Sequence, residues 1–145
     1  MVHAQPPAGY HWADFYATTV EVVLDLIERN DAFSRNRHDA LLADAQAGCR
    51  RLRGLSRTFG NVRIRAQTLQ ARLDWIERRS ARALRLWQSA LVCARSAAML
   101  NEQARVLIEL RTHGHAADPA LGASLIPGLQ AQGAYALLRR LQSQA

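Results

Sequence analysis

The chain has 145 residues and a mass of 16.1 kDa, with 49% hydrophobic and 21% charged residues, the balance of one ordinary globular domain and not of a disordered tail. Cys49 and Cys93 are too few for a disulfide framework, and every apolar run is interrupted by Arg, Asp or Glu well before the roughly 20 residues of a membrane span. Met1 to Tyr10 is polar and proline-broken, unlike a secretory leader, so the expectation is a single cytoplasmic domain over 1–145, irregular over 1–10, without membrane contact.

The formal charge of +7 is unevenly spread. Residues 1–48 carry seven acids against three arginines, whereas residues 49–111 carry fourteen arginines against four acids. All nineteen basic residues are arginine. With heavy alanine and leucine use, this agrees with a GC-rich coding sequence, and the basic middle has two physical outlets: an acidic partner, or the acidic first segment of the same chain.

In chain order, the apolar spacing is that of helices throughout. Pro6, Pro7 and Gly9 mark an irregular start. From about His11 to Asn30, Trp12, Tyr16, Val20, Val23, Leu24 and Ile27 share a face, and Asp14, Thr18, Glu21, Asp25 and Glu28 form an acidic stripe. After a break at 30–36, a second helix runs from about Arg37 to Thr58, in which Gly48 and Gly54 either weaken the helix or let a neighbour approach. Gly60 reads as a stop and Asn61 as a cap for a third helix to Arg79, whose Val62, Ala66, Leu69, Leu73 and Ile76 make a packed seam. Ser80 caps a fourth helix over Ala81 to Met99, apolar around most of its circumference and therefore expected at the centre of the domain. Asn101 caps a fifth helix that Gly114 ends. Asp118-Pro119 opens a sixth, which Pro127 and Gly128 should kink or divide, and Ala134 to Gln142 closes the chain. The fold expected is all-α, about seven helices in antiparallel pairs.

Ala83, Trp87 and Ala90 match the small–aromatic–small spacing of the second helix of a tetratricopeptide repeat, Leu69 and Ala71 fall near the paired positions of its first helix, and Ala43, Ala83 and Ala123 recur at forty residues. On these residues the chain resembles tetratricopeptide repeats. The stretch from Arg78 to Leu110, with Tyr10-x-Trp12 to Glu28, looks like the helical repeats at the C-terminal side of large bacterial signalling ATPases that accompany cyclase or kinase domains. The resemblance implies a short right-handed solenoid with a regulatory or protein-docking role. The phosphate-gripping loop of the ATPases is missing, as it must be in a chain without lysine.

Little in the sequence supports catalysis. His113 and His115 are two apart, poorly spaced for helix ligands, with no second His or Cys pair nearby in sequence, so no metal or other cofactor is expected. Cys49 beside Arg50 is a reactive thiol if exposed. Asp74 and Glu77 read as surface acids paired to Arg78 and its neighbours, and no nucleophile motif is present. Arginine placement is the most function-like feature. Arg50, Arg53 and Arg57 share one helix face, Arg65, Arg72 and Arg79 recur every seven residues on the next helix, and Trp75 lies off the seam. These seven residues are the candidate partner-binding set, for a protein segment that offers acids and apolar anchors. The alternatives are a nucleic acid or other polyanion, and self-association. Trp12 is expected to pack on the second helix, and Trp87 in the core.

Overall fold

The computed structural model describes residues 9–143. Among these there is no strand, and the chain forms eight helices: α1 (Gly9–Arg29), α2 (Ala32–Asn36), α3 (His38–Ser56), α4 (Val62–Ile76), α5 (Ser80–Ser96), α6 (Leu100–Thr112), α7 (Pro119–Ala131) and α8 (Tyr135–Gln142). The all-α expectation holds, with one helix more than anticipated. The break at 30–36 contains α2, nucleated by Asp31, whose carboxylate accepts from the Ser34 backbone N–H. Helix α1 already includes Gly9 and Tyr10, while Pro6 and Pro7 lie outside the described residues. Pro127 does not divide α7. Of the expected caps, Asp118 accepts from the Ala120 N–H, but Asn61 makes no capping bond. Ser80 and Asn101 lie inside α5 and α6, one and two residues beyond the positions that Arg79 and Met99 occupy as caps.

Four helices end in the same turn. At Arg78, Ala98, Gly114 and Gly133 φ is +64°, +52°, +74° and +68°. In each case the following N–H closes back onto the helix: Arg79 to Asp74, Met99 to Ala94, His115 to Leu110 and Ala134 to Leu129. This pairing satisfies carbonyls that a helix end leaves open and reverses the chain within two residues.

The core falls into three consecutive clusters. Ala13, Ala17, Val20 and Leu24 of α1 meet Leu41, Ala45 and Leu52 of α3 and Leu69 and Leu73 of α4. Ile64 and Ala71 of α4 meet Ala83, Trp87, Ala90 and Ala94 of α5 and Val106 and Leu110 of α6. Ala104, Leu107 and Ile108 of α6 meet Leu125 and Leu129 of α7 and Leu137, Leu138 and Leu141 of α8. Helices α4 and α6 therefore feed two clusters each and form the centre, in place of α5. Four of the ten apolar residues of α5 are alanine, which needs little cover, its Leu84, Leu86, Leu91 and Cys93 are only partly buried, and its Val92 is 65% exposed. Helices α1, α4, α6 and α8 touch in succession, whereas α3, α5 and α7 touch these and not one another, and the short α2 touches α1 and α3.

Two corrections concern α1. Trp12 is 56% exposed and does not pack on α3, because the buried face runs through Ala13 and Ala17 instead. These small residues, with Gly48 on α3, bring the two helices together: a methyl group at Gly48 would overlap Val20 Cγ2, while nothing lies within 4 Å of one at Gly54. Ala43 and Ala123 are exposed, so they do not share the packing position of the fully buried Ala83.

Candidate functional site

The arginines sort onto two sides of α4. On one side two of the heptad arginines, Arg65 and Arg72, turn inward to the acidic stripe of α1. Arg72, 4% exposed, holds Asp25 at 2.6 Å through Nη2 and grips Glu28 through Nε and Nη2. Its Nε lies 3.8 Å from Glu109 of α6. Arg65 holds Glu21 at 2.6 Å and approaches Glu102, which Arg105 also approaches. His113, at the end of α6, completes the network. Its Nδ1 donates to the Glu109 carbonyl oxygen at 2.8 Å, which leaves Nε2 facing Glu28 at 3.6 Å. The imidazole stacks on Trp87 at 4.8 Å between ring centroids and meets the edge of Trp75 at 4.9 Å.

Titration in this network follows from its partners. Burial pulls the Glu28 carboxyl upward, but the facing His113 imidazole and the hydrogen-bonded Arg72 guanidinium outweigh it and hold the group at about 2. Burial would lower His113, but the Glu28 and Glu109 interactions raise it. Burial dominates at Glu102 and Glu109 and raises both.

The other side of α4 opens as a groove between α3, α4 and α5. It comprises two adjoining cavities of about 290 Å³ each that share Arg53, Gln70 and Arg82. Arg50 and Arg63 lie at its flanks, and Ala66, Leu73 and Leu86 supply apolar walls. Arg50, Arg53 and Arg63 have no ion-pair partner among the described residues. Arg79 and Arg82 pair with the fully buried Asp74 at 2.7 and 3.0 Å, and Arg79 also pairs with Glu77. The Asp74 reading is thereby corrected: it is no surface acid but an internal anchor that holds two guanidiniums beside the groove. The Oε1 of Gln67 is buried there without a hydrogen-bond partner.

Of the seven sequence-derived candidates, Arg50, Arg53 and Arg79 converge on this groove, and Arg57 is exposed outside it. Arg65 and Arg72 face the opposite way, so the heptad repeat on α4 does not form one continuous patch with α3. Trp75 is half-buried against Trp87, His113 and His115 and does not line the groove. Sequence reasoning passed over Arg63, Gln67 and Gln70 in the groove. Their 4-3 spacing on α4 was the signal, masked by the stronger apolar seam beside it. Cys49 reaches the groove but is 3% exposed, and burial pushes its thiol up to about 12 despite Arg53 and Arg50, which removes it as a reactive thiol.

Comparison with protein-family models, with curated proteins and with solved structures finds no match to this chain. Among the described residues no group of three or more His, Cys, Asp or Glu is placed to hold a metal, and no helix is long and apolar enough to cross a membrane. The chemistry available in the groove is that of guanidinium forks set over apolar walls, which suits carboxylates presented beside small apolar side chains.

Proposed function

We propose that the chain is a non-catalytic docking module, a short tetratricopeptide-like right-handed stack of helical hairpins, which binds an acidic protein segment in the α3–α4–α5 groove. The reading of a stack is supported by the alternation of helix contacts: α1, α4, α6 and α8 make one row, and α3, α5 and α7 lie separately along it. The reading of docking rests on one observation. Arg50, Arg53 and Arg63, exposed and without an ion-pair partner among the described residues, converge with the Asp74-held Arg79 and Arg82 on one walled groove. An incoming segment would set its carboxylates on these forks and a small apolar side chain between Ala66 and Leu86, with charge steering the encounter and apolar burial slowing release. The resemblance to repeats that accompany cyclase and kinase domains gives this docking its regulatory sense.

A nucleic acid is the competing occupant, since five arginines line the groove. The two are separated by titrating a fluorescent Glu/Leu-rich peptide and a single-stranded DNA 20-mer, each at low and moderate salt. The expected result is peptide binding that weakens at least tenfold in Arg50→Glu/Arg53→Glu and is unchanged in Arg57→Glu. Equal loss in both variants would reduce the effect to net charge, and tighter DNA binding with a steep salt slope would replace the protein segment with a polyanion.

A further inference from the structure

Helix α1 has three longitudinal sectors, and the fold covers the third only in part, with Tyr16, Val23 and Leu26 leaning on the first core cluster. Ala13, Ala17, Val20, Leu24 and Ile27 enter the core, and Glu21, Asp25 and Glu28 face the arginines of α4 and α6. The third sector carries Trp12, Phe15, Thr19, Val22 and Leu26 at steps of three and four, flanked by Tyr16 and Val23. A solvent-facing sector of an amphipathic helix is ordinarily polar. This one has no charged residue over about 20 Å of helix length, and Trp12, Phe15 and Val22 are 56%, 58% and 52% exposed.

We infer that this face of α1 is a self-association surface, on which a second copy of the chain packs its own α1 antiparallel about a two-fold axis at Thr19. Antiparallel pairing about Thr19 sets the bulky end of the stripe (Trp12, Phe15 and Tyr16) against the slim end of its mate (Val22, Val23 and Leu26), whereas parallel pairing sets bulky on bulky and slim on slim. Large side chains facing small ones interdigitate at interior packing density. At the axis, the Thr19 hydroxyl already donates to the Phe15 carbonyl oxygen at 2.8 Å, so covering it strands no donor. Toward α3, Arg51 lies over the Tyr16 ring at 5.3 Å from its centroid, which places a cation at the rim of the stripe and not within it.

Area sets the strength. With aromatic side chains offering roughly 150–250 Å² each, the stripe exposes on the order of 400 Å² of apolar surface. That is the size of the largest apolar patch on a typical monomer, a patch that is often functional. Doubled, it reaches about 800 Å², below a standard specific interface and on the scale of weak, transient contacts. The dimer is therefore expected to be weak and concentration-dependent.

The test is sedimentation velocity on the whole chain from about 1 to 500 µM, with circular dichroism as the folding control. The mass is expected to rise from that of one chain toward that of two. Phe15→Glu and Val22→Glu, both at exposed positions, should each raise the dissociation constant at least tenfold while leaving the helical signal intact. In a Cys93→Ser background, Thr19→Cys should form a disulfide-linked dimer on mild oxidation, and Trp12→Cys should not, because the antiparallel arrangement holds the two copies of residue 12 about 20 Å apart. A monomer across the whole range, a dimer indifferent to both glutamates, or equal cross-linking at the two positions would each overturn the assignment. None of these outcomes depends on occupancy of the arginine groove.

Discussion

His113 is a titrating group enclosed by groups from four helices: Glu28 of α1, Arg72 and Trp75 of α4, Trp87 of α5 and Glu109 of α6, with His115 beside the tryptophans. Its folded-state pKa lies above the ordinary value of 6.5, so its contribution to stability is complete below about 6.5 and is lost as the pH rises through the folded value. Glu28 has the opposite sign. Its contribution is present above its ordinary 4.5 and is lost as the pH falls toward about 2. Urea midpoints measured against pH should therefore be highest between these limbs. His113→Gln should flatten the alkaline limb and leave the acid one in place. An unchanged alkaline limb in that variant would show that another group carries it. The sequence offered His113 only as half of a poor metal pair, because the partners that define its chemistry are distant in the chain.

Elements are joined here by close approaches and turns whose residue types are only partly diagnostic. The α1–α3 contact depends on Gly48, and Gly54, two turns further on, has open space around it. Alanine gains up to about 1 kcal/mol of helix propensity at either position. At Gly48 this is outweighed by overlap with the buried Val20, since overpacking a core costs about 1–3 kcal/mol. Gly48→Ala is expected to destabilise by about 1–2 kcal/mol and Gly54→Ala to stabilise by about 0.5–1 kcal/mol, read as shifts of the chemical denaturation midpoint. Both glycines were visible in the sequence as alternatives between weakening and closeness, and only the neighbour decides between them. The turns behave similarly. Gly114 and Gly133 announce a left-handed helix end, but Arg78 and Ala98 adopt the same conformation against their own preference. Tertiary packing of the hairpins supplies what those two residues lack.

At the scale of the molecule, Arg72 ties α1 to α4, with Glu109 of α6 close by, and so joins the first two core clusters across the row. Removing its charge takes the shared guanidinium from Asp25, Glu28 and Glu109 and leaves His113 beside the latter two. Arg72→Met is expected to cost about 2–4 kcal/mol, below the full penalty for breaking a buried pair because Asp25 remains partly in water. Arg57→Met, on an exposed side chain, should stay within about 0.5 kcal/mol. Similar losses in the two variants would mean that the network contributes nothing specific. The same contrast explains how the candidate site was read. Arg50 and Arg53 were legible because they repeat on an exposed face. Arg65 and Arg72 repeat as regularly, but spacing along a helix does not tell which neighbour the face meets.

Local periodicity by itself determined the all-α class, the main helices, the acidic face of α1 and most of the packed seams, because a helix interior depends on residues three and four positions apart. Only the tertiary structure decided that α4 and α6 form the centre, that Arg65 and Arg72 among the candidate arginines are internal ties, and that one face of α1 is left largely uncovered. Those outcomes depend on which stripe of one helix meets which stripe of another. Burial and ion pairing are set across that meeting and not along the chain.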